Sequence, residues 1–168
     1  MVKAVPRILF LVGLTAAMAA VTIVAGSHVD RQNRIVQCSE HLSTLYTLRS
    51  ELSWPRMGWK TGSLRDRYMN ASGKEHWLTL AEVIATEHRE ETGYSDALLS
   101  CPARVGKSSL ATDYLGPRCA PNRLQPNDPL GCDEPGNHSH GGNVIFKSGQ
   151  VVEMSYWDYK RSLEKCSP

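Results

Sequence analysis

Apolar residues along this chain fall into three patterns, and each predicts a different element. The first is a continuous run from Ile8 to Ala25, interrupted by Gly13, Thr15 and Thr22 alone. It is about as long as a helix needs to cross a bilayer. The second pattern follows at once. Ile35, Cys38, Leu42, Leu45, Leu48 and Leu52 recur at three- and four-residue steps, and no Gly or Pro interrupts them before Pro55. That stripe predicts an amphipathic helix. Together the two patterns predict one long N-terminal helix, with Gly26-Ser27 as a soft point between a lipid-embedded half and a half packed on a globular head.

The third pattern is alternation near the C-terminus. Asn143 to Lys147 and Gln150 to Met154 are rich in Val, Ile and Phe, with Ser148-Gly149 between them. A two-residue loop ending in Gly predicts a β-hairpin in which Phe146 faces Val151 and Ile145 faces Val152. Between stripe and hairpin the pattern is weaker. Residues 54–73 read as loop. Ser72 and Glu75 have the spacing of a capping box, and Trp77, Leu80, Ala81 and Ile84 line one face of a helix behind it that stops at Gly93. His76 and His88 read as surface or boundary positions on that helix. From Lys107 to Asn137 the chain is proline-rich without a period, and after the hairpin it closes in a short helix or irregular tail. The fold class is therefore α+β: a long N-terminal helix packed on a small antiparallel sheet head with one further helix. Residues 1–7 form a cytoplasmic N-terminus, 8–25 a transmembrane helix, 26–53 its continuation, and 54–168 the head.

Charge changes this picture little. A net charge of +2 over 168 residues, with both signs interspersed, suggests no nucleic-acid partner. Lys3 and Arg7 before the apolar run favour a single-pass protein in the cytoplasmic membrane with its head outside, in the periplasm. The length of the run favours an uncleaved anchor; Ala17-Met18-Ala19 supplies the small residues of the alternative, a cleaved signal on a secreted or periplasmic binding protein. Five cysteines without a Cys-x-x-Cys pair suit one or two disulfides in an oxidising compartment. Cys119 and Cys132 bracket the proline-rich loop and are the first candidate pair, because closing that loop removes chain entropy. Cys38 and Cys101 are the second, and Cys166 is expected to be a free thiol in the tail.

The stretch "GNHSHGGNVIFKSGQVVEM" carries a resemblance. His138, nine residues, then Ser148-Gly149, with Gly141, Gly142, Asn143, Val144, Phe146 and Val151 in register, is similar to the C-terminal His-x9-Asp-Gly signature of the type IV pilin-like (pseudopilin-like) proteins abundant in planctomycetes and their relatives. Three upstream stretches agree in order. "QCSEHLSTLYTL" resembles that family's Cys-x-Asn-Leu helix, "LLSCPA" its Cys-Pro-Ser step, and "ATDYLGP" its Ser-x-Tyr segment. Two departures stand out. No Glu lies between Met1 and Glu40, where a prepilin leader has one, and Ser148 occupies the Asp position. The resemblance implies a divergent, membrane-anchored, non-enzymatic structural protein of a type II secretion or type IV pilus-like system, with other pseudopilins or secretion subunits as partners.

Competing chemistry centres on "CDEPGNHSH", where Cys132, Asp133, Glu134, His138 and His140 all offer ligand atoms. A metal-dependent enzyme using residues 132–140 is the rival reading. Against it, His-x-His alone is a weak signal, and no second His cluster completes a catalytic zinc site. Calcium fits somewhat better: Asp113, Asp128, Asp133 and Glu134 supply oxygens, and some pseudopilin heads hold calcium before the hairpin. No other cofactor is expected. His138, Gly141, Gly142, Asn143, Ser148 and Gly149 are thus expected to be structural, with His138 hydrogen-bonding nearby backbone and pinning the loop against the hairpin.

Overall fold

The computed structural model describes residues 5–53, 62–104, 112–138 and 140–166, with the backbone alone for 5–14, 53 and 91. The helix α1, Val5–Ser53, is unbroken. At its expected soft point the Ser27 hydroxyl donates to the Val24 carbonyl, as Thr22 does to Met18, at 2.8 and 2.9 Å. Such bonds keep polar side chains compatible with helical backbone.

The chain divides into two compact units, Met1–Arg34 and Ile35–Pro168. In the first, α1 leaves large apolar side chains uncovered: Met18, Val21, Ile23, Val24 and Val29 are 58–71% exposed. Among the described residues no helix is long and apolar enough to cross a membrane. The run from Ile8 to Ala25 is only partly among them, because side chains are described from Thr15 onward.

The second unit holds the core. The stripe Ile35, Cys38, Leu42, Leu45, Leu48 and Leu52 is buried, between 0 and 8% exposed. It joins Trp77, Leu80, Val83 and Ile84 of α3 (Lys74–Glu87) and Tyr114, Leu130 and Ile145 of the sheet. That sheet is four-stranded and antiparallel in the order β1 (Tyr114–Leu115), β2 (Pro129–Asp133), β3 (Gly142–Phe146), β4 (Val151–Met154). An α5 helix, Tyr156–Cys166, covers β2 and β3 through Tyr159, which packs with Leu115, Cys132 and Val144. The architecture is α+β as expected, with more helix than expected.

Several local expectations are corrected. Residues 62–70, read as loop, form the helix α2 (Gly62–Asn70), whose Leu64 and Tyr68, one turn apart, pack on the core. Arg67 ties α2 to α3 through Glu75 and Glu82, each at 2.8 Å. The remainder of that loop, with Trp54 and Trp59, lies outside the described residues. Glu75 is therefore not the partner of a capping box. The helix begins instead at Gly73, whose N–H and carbonyl pair with Pro117 O and Gly116 N at 2.8 and 2.9 Å. The helix expected to run to Gly93 ends at Glu87; a short α4 (Arg89–Thr92) follows and stops at Gly93, which is left-handed. The closing segment is helical, and it leaves Trp157 71% exposed while Cys166 is buried rather than in a loose tail.

The hairpin is real but its register is shifted by one residue. Ile145 pairs with Val151 and Val144 with Val152. Phe146 and Gln150 close the turn, with the Phe146 N–H donating to Gln150 O and the Gly149 N–H to Phe146 O, both at 2.9 Å. The loop thus has three residues, and Gly149 at φ +91° supplies the positive φ such loops need. A one-residue slip matters because it exchanges the faces of a strand.

His76 and His88 are buried, against expectation. The His76 ring lies 4.9 Å from that of Tyr68 and 4.7 Å from that of Trp77, and neither of its nitrogens has a hydrogen-bond partner. Burial, assisted by the charges of Arg49 and Lys147, pushes its pKa down from 6.5 to about 3. Folded protein therefore refuses a proton that the unfolded chain accepts. Stability is complete above pH 6.5 and is expected to fall between there and about pH 3, by up to about 1.4 kcal/mol per pH unit from this group. His76→Phe should flatten that slope in urea titrations run across the window; an unchanged slope would assign the acid sensitivity elsewhere.

Candidate functional site

Four side chains from separate places in the sequence meet at the end of β2. Cys38 arrives on the buried stripe of α1. Cys101 follows a 3-10 turn, Asp96–Leu99, that is capped by the Ser95 hydroxyl. Asp133 is the last residue of β2, and His138 sits in the turn beyond it. One ligand atom from each lies within 4.8 Å of the other three.

Cys38 and Cys101 are joined in a disulfide across 63 residues. His138 Nε2 lies 2.9 Å from Asp133 Oδ2 and 3.4 Å from Cys101 Sγ. At that distance from a carboxyl oxygen, Nε2 carries the hydrogen and donates it to Asp133. The same Oδ2 accepts the backbone N–H of Asn143 at 2.7 Å. The other oxygen, Oδ1, is buried and has no hydrogen-bond partner. Both side chains are almost wholly enclosed, 4% exposed for His138 and 1% for Asp133.

An outer layer fixes these groups. The Tyr159 hydroxyl donates to the Asp133 carbonyl; burial pushes that phenol's pKa up and keeps it a donor. Asn143 Nδ2 donates to the Ile35 carbonyl of α1 at 3.3 Å. The Cys101 N–H donates to Asp113 Oδ2 at 3.0 Å, and Asp113 pairs with Arg104. Lys74 holds Glu134 at 2.6 Å. Gly141, at φ +122°, turns the chain from His138 into β3, where any Cβ would run into the Met154 carbonyl. Gly142 is needed for close packing, since a Cβ there would stand 2.7 Å from the Tyr159 ring.

Several expectations change here. His138 hydrogen-bonds a carboxyl group on β2 rather than backbone near the turn. Ser148 is exposed at the far end of β3, its N–H bonded to Pro126 O at 2.9 Å. The fixed His-to-turn spacing is therefore the length of one strand with its entry loop, not a contact. The Cys119–Cys132 bridge is not formed: both are free thiols. Strand β2 points Cys132 into the cluster under α5, where its hydrogen bond with Cys166 and its burial push the thiol pKa up. Cys119 sits half-buried in the loop.

Of the 132–140 set, only Asp133 and His138 come together. Cys132 faces Cys166, Glu134 faces Lys74, and His140 is exposed. The calcium candidates are not assembled either. Asp113 and Glu134 are occupied by Arg104 and Lys74, Asp133 by His138, and Asp128 accepts the Gln125 N–H at 2.9 Å. Among the described residues the single group with metal-ligating geometry is Cys38, Cys101, Asp133 and His138.

With the sulfurs bonded to each other, the cluster has no thiolate for nucleophilic or ligand chemistry. In this state a covalent bond and a buried hydrogen-bond network hold α1 to the end of the sheet. In the sequence these residues lie in separate stretches, around Cys38, Cys101 and Asp133 to His138, that no local pattern joins. No model of a known protein family, no characterised protein and no solved structure matches this chain.

Proposed function

We propose that this chain is a membrane-anchored, pseudopilin-like structural protein, with its head outside the cytoplasmic membrane and no enzymatic activity. The observation that carries the reading is the unequal treatment of one helix. The stripe Ile35, Cys38, Leu42, Leu45, Leu48 and Leu52 is buried in the head, whereas Met18, Val21, Ile23, Val24 and Val29, and Val36 beside the stripe, are left uncovered. Large apolar side chains exposed along a helix call for an apolar partner such as lipid or neighbouring helices. The apolar run that starts at Ile8, with Lys3 and Arg7 before it, supports lipid as the first of these. The order of the Cys38, Cys101, Tyr114 and His138 stretches supports the family resemblance, and their convergence on a structural staple suits a scaffold rather than a catalyst.

Washing membranes with alkaline carbonate is expected to leave the full-length chain in the pellet. A shortened chain in the supernatant would favour a secreted binding protein. Isolation of the intact chain with filament or secretion-complex subunits would identify the assembly it serves.

A further inference from the structure

We propose that the place of the Cys38–Cys101 disulfide is also a zinc site, formed when that bond is reduced, with Cys38, Cys101, Asp133 and His138 as its four ligands. A tetrahedral zinc ion takes sulfur at about 2.3 Å and nitrogen or oxygen at about 2.0–2.2 Å, which sets its ligand atoms roughly 3–4 Å apart. Two separations already have this scale: Nε2 is 2.9 Å from Oδ2 and 3.4 Å from Cys101 Sγ. The two sulfurs, bonded to each other, stand too close to ligate an ion separately. Reduction removes that bond and lets van der Waals repulsion part the sulfurs, within a group no wider than 4.8 Å.

The donor set also selects the metal. Two thiolates, an imidazole and one carboxylate suit zinc and not calcium, which takes oxygen ligands throughout. The buried Asp133 Oδ1 has no partner in the disulfide state, so one acceptor atom of this carboxyl group stands unused. The outer layer suits a metal site. The Asn143 N–H holds the carboxyl group at 2.7 Å, and the Tyr159 hydroxyl holds the Asp133 backbone. Groups of this kind orient ligands before the ion arrives.

The chemistry balances. A dithiol reductant passes two electrons and two protons to the disulfide, becoming a disulfide itself and leaving Cys38 and Cys101 as thiols. Zinc binding then releases the two thiol protons to solvent. The His138 hydrogen moves to Nδ1, so that the Nε2 lone pair can bind the ion. Zinc changes oxidation state at no point. Return to the disulfide passes two electrons from the thiolates to a disulfide oxidant and frees the ion. In either state α1 remains fastened to the sheet, by a covalent bond or by metal bonds.

The test uses the full chain in detergent, reduced with a phosphine and titrated with cobalt(II), whose spectrum reports tetrahedral thiolate coordination. One equivalent is expected to bind the reduced chain, to be displaced by zinc, and not to bind the disulfide form. Asp133→Asn and His138→Ala should each weaken binding at least tenfold, whereas Cys119→Ser should leave it unchanged. If reduction unfolds the chain, zinc should restore its circular dichroism. The proposal is overturned if the reduced chain binds no equivalent and zinc does not refold it. It is equally overturned if binding survives the joint Cys38→Ser, Cys101→Ser change.

Discussion

Replacing Cys38 and Cys101 together by alanine is expected to lower the stability of the head by about 4 kcal/mol. The two residues are 63 apart in sequence. In the chain-entropy treatment, releasing a loop of that length returns about 4 kcal/mol of conformational freedom to the unfolded state. For a unit of this size, that corresponds to a fall in melting temperature of roughly 10–15 °C. Thermal unfolding followed by circular dichroism, in the absence of metal, measures it. A fall of only a few degrees would mean that the buried stripe of α1 holds the helix to the sheet without help from the staple. Cys119→Ala, which breaks no bond, is the control and should have little effect.

Asp133→Ala is expected to cost about 3–5 kcal/mol, although it removes only one small side chain. Its carboxyl group receives both His138 Nε2–H and the Asn143 N–H in a site from which solvent is nearly excluded. Truncation strands two buried donors, and removing one partner of a buried pair is far more damaging than never having built it. His138→Ala should cost less, because it leaves the Asn143 N–H bond to Asp133 intact. Urea denaturation of both single variants and the double variant gives the coupling, expected at about 1–3 kcal/mol. A coupling near zero would show that His138 and Asp133 are neighbours without being partners.

The parts of this fold that were legible in the sequence are those where periodicity and burial coincide. The stripe from Ile35 to Leu52 and the face Trp77–Leu80–Ala81–Ile84 are buried as their spacing requires. Helix α2 was hidden because its nine residues offer two apolar side chains at helical spacing, Leu64 and Tyr68, amid charged residues. The burial of His76 could not be read either, since a helical period says which face a residue shares, not whether an imidazole there will be left without partners. The cysteine pairing turned on long-range geometry. A loop-length argument favoured Cys119 with Cys132, but the side of β2 on which Cys132 stands put it under α5 instead. Likewise local sequence suggests a calcium ligand at Asp133 and a backbone clamp at His138. Their meeting depends on how β2 ends and where the turn from residue 134 to 138 returns.

The staple sets where a pull on the helix would be resisted. A pull on the buried half of α1 is met first at Ile35, whose carbonyl is held by Asn143. Three residues later it meets the covalent bond at Cys38. From Cys101 the pull passes to Asp113 through the backbone N–H, and so into the entry to the sheet at Tyr114. A helix fixed only by side-chain packing would peel from such a surface one turn at a time, with the hydrophobic contacts failing in sequence. Here peeling is arrested within the first turn of the buried half, and the remainder of the stripe from Leu42 to Leu52 is shielded from the force. The same bond that stabilises the head at rest therefore acts as a strain relief, like the clamp where a cable enters its housing.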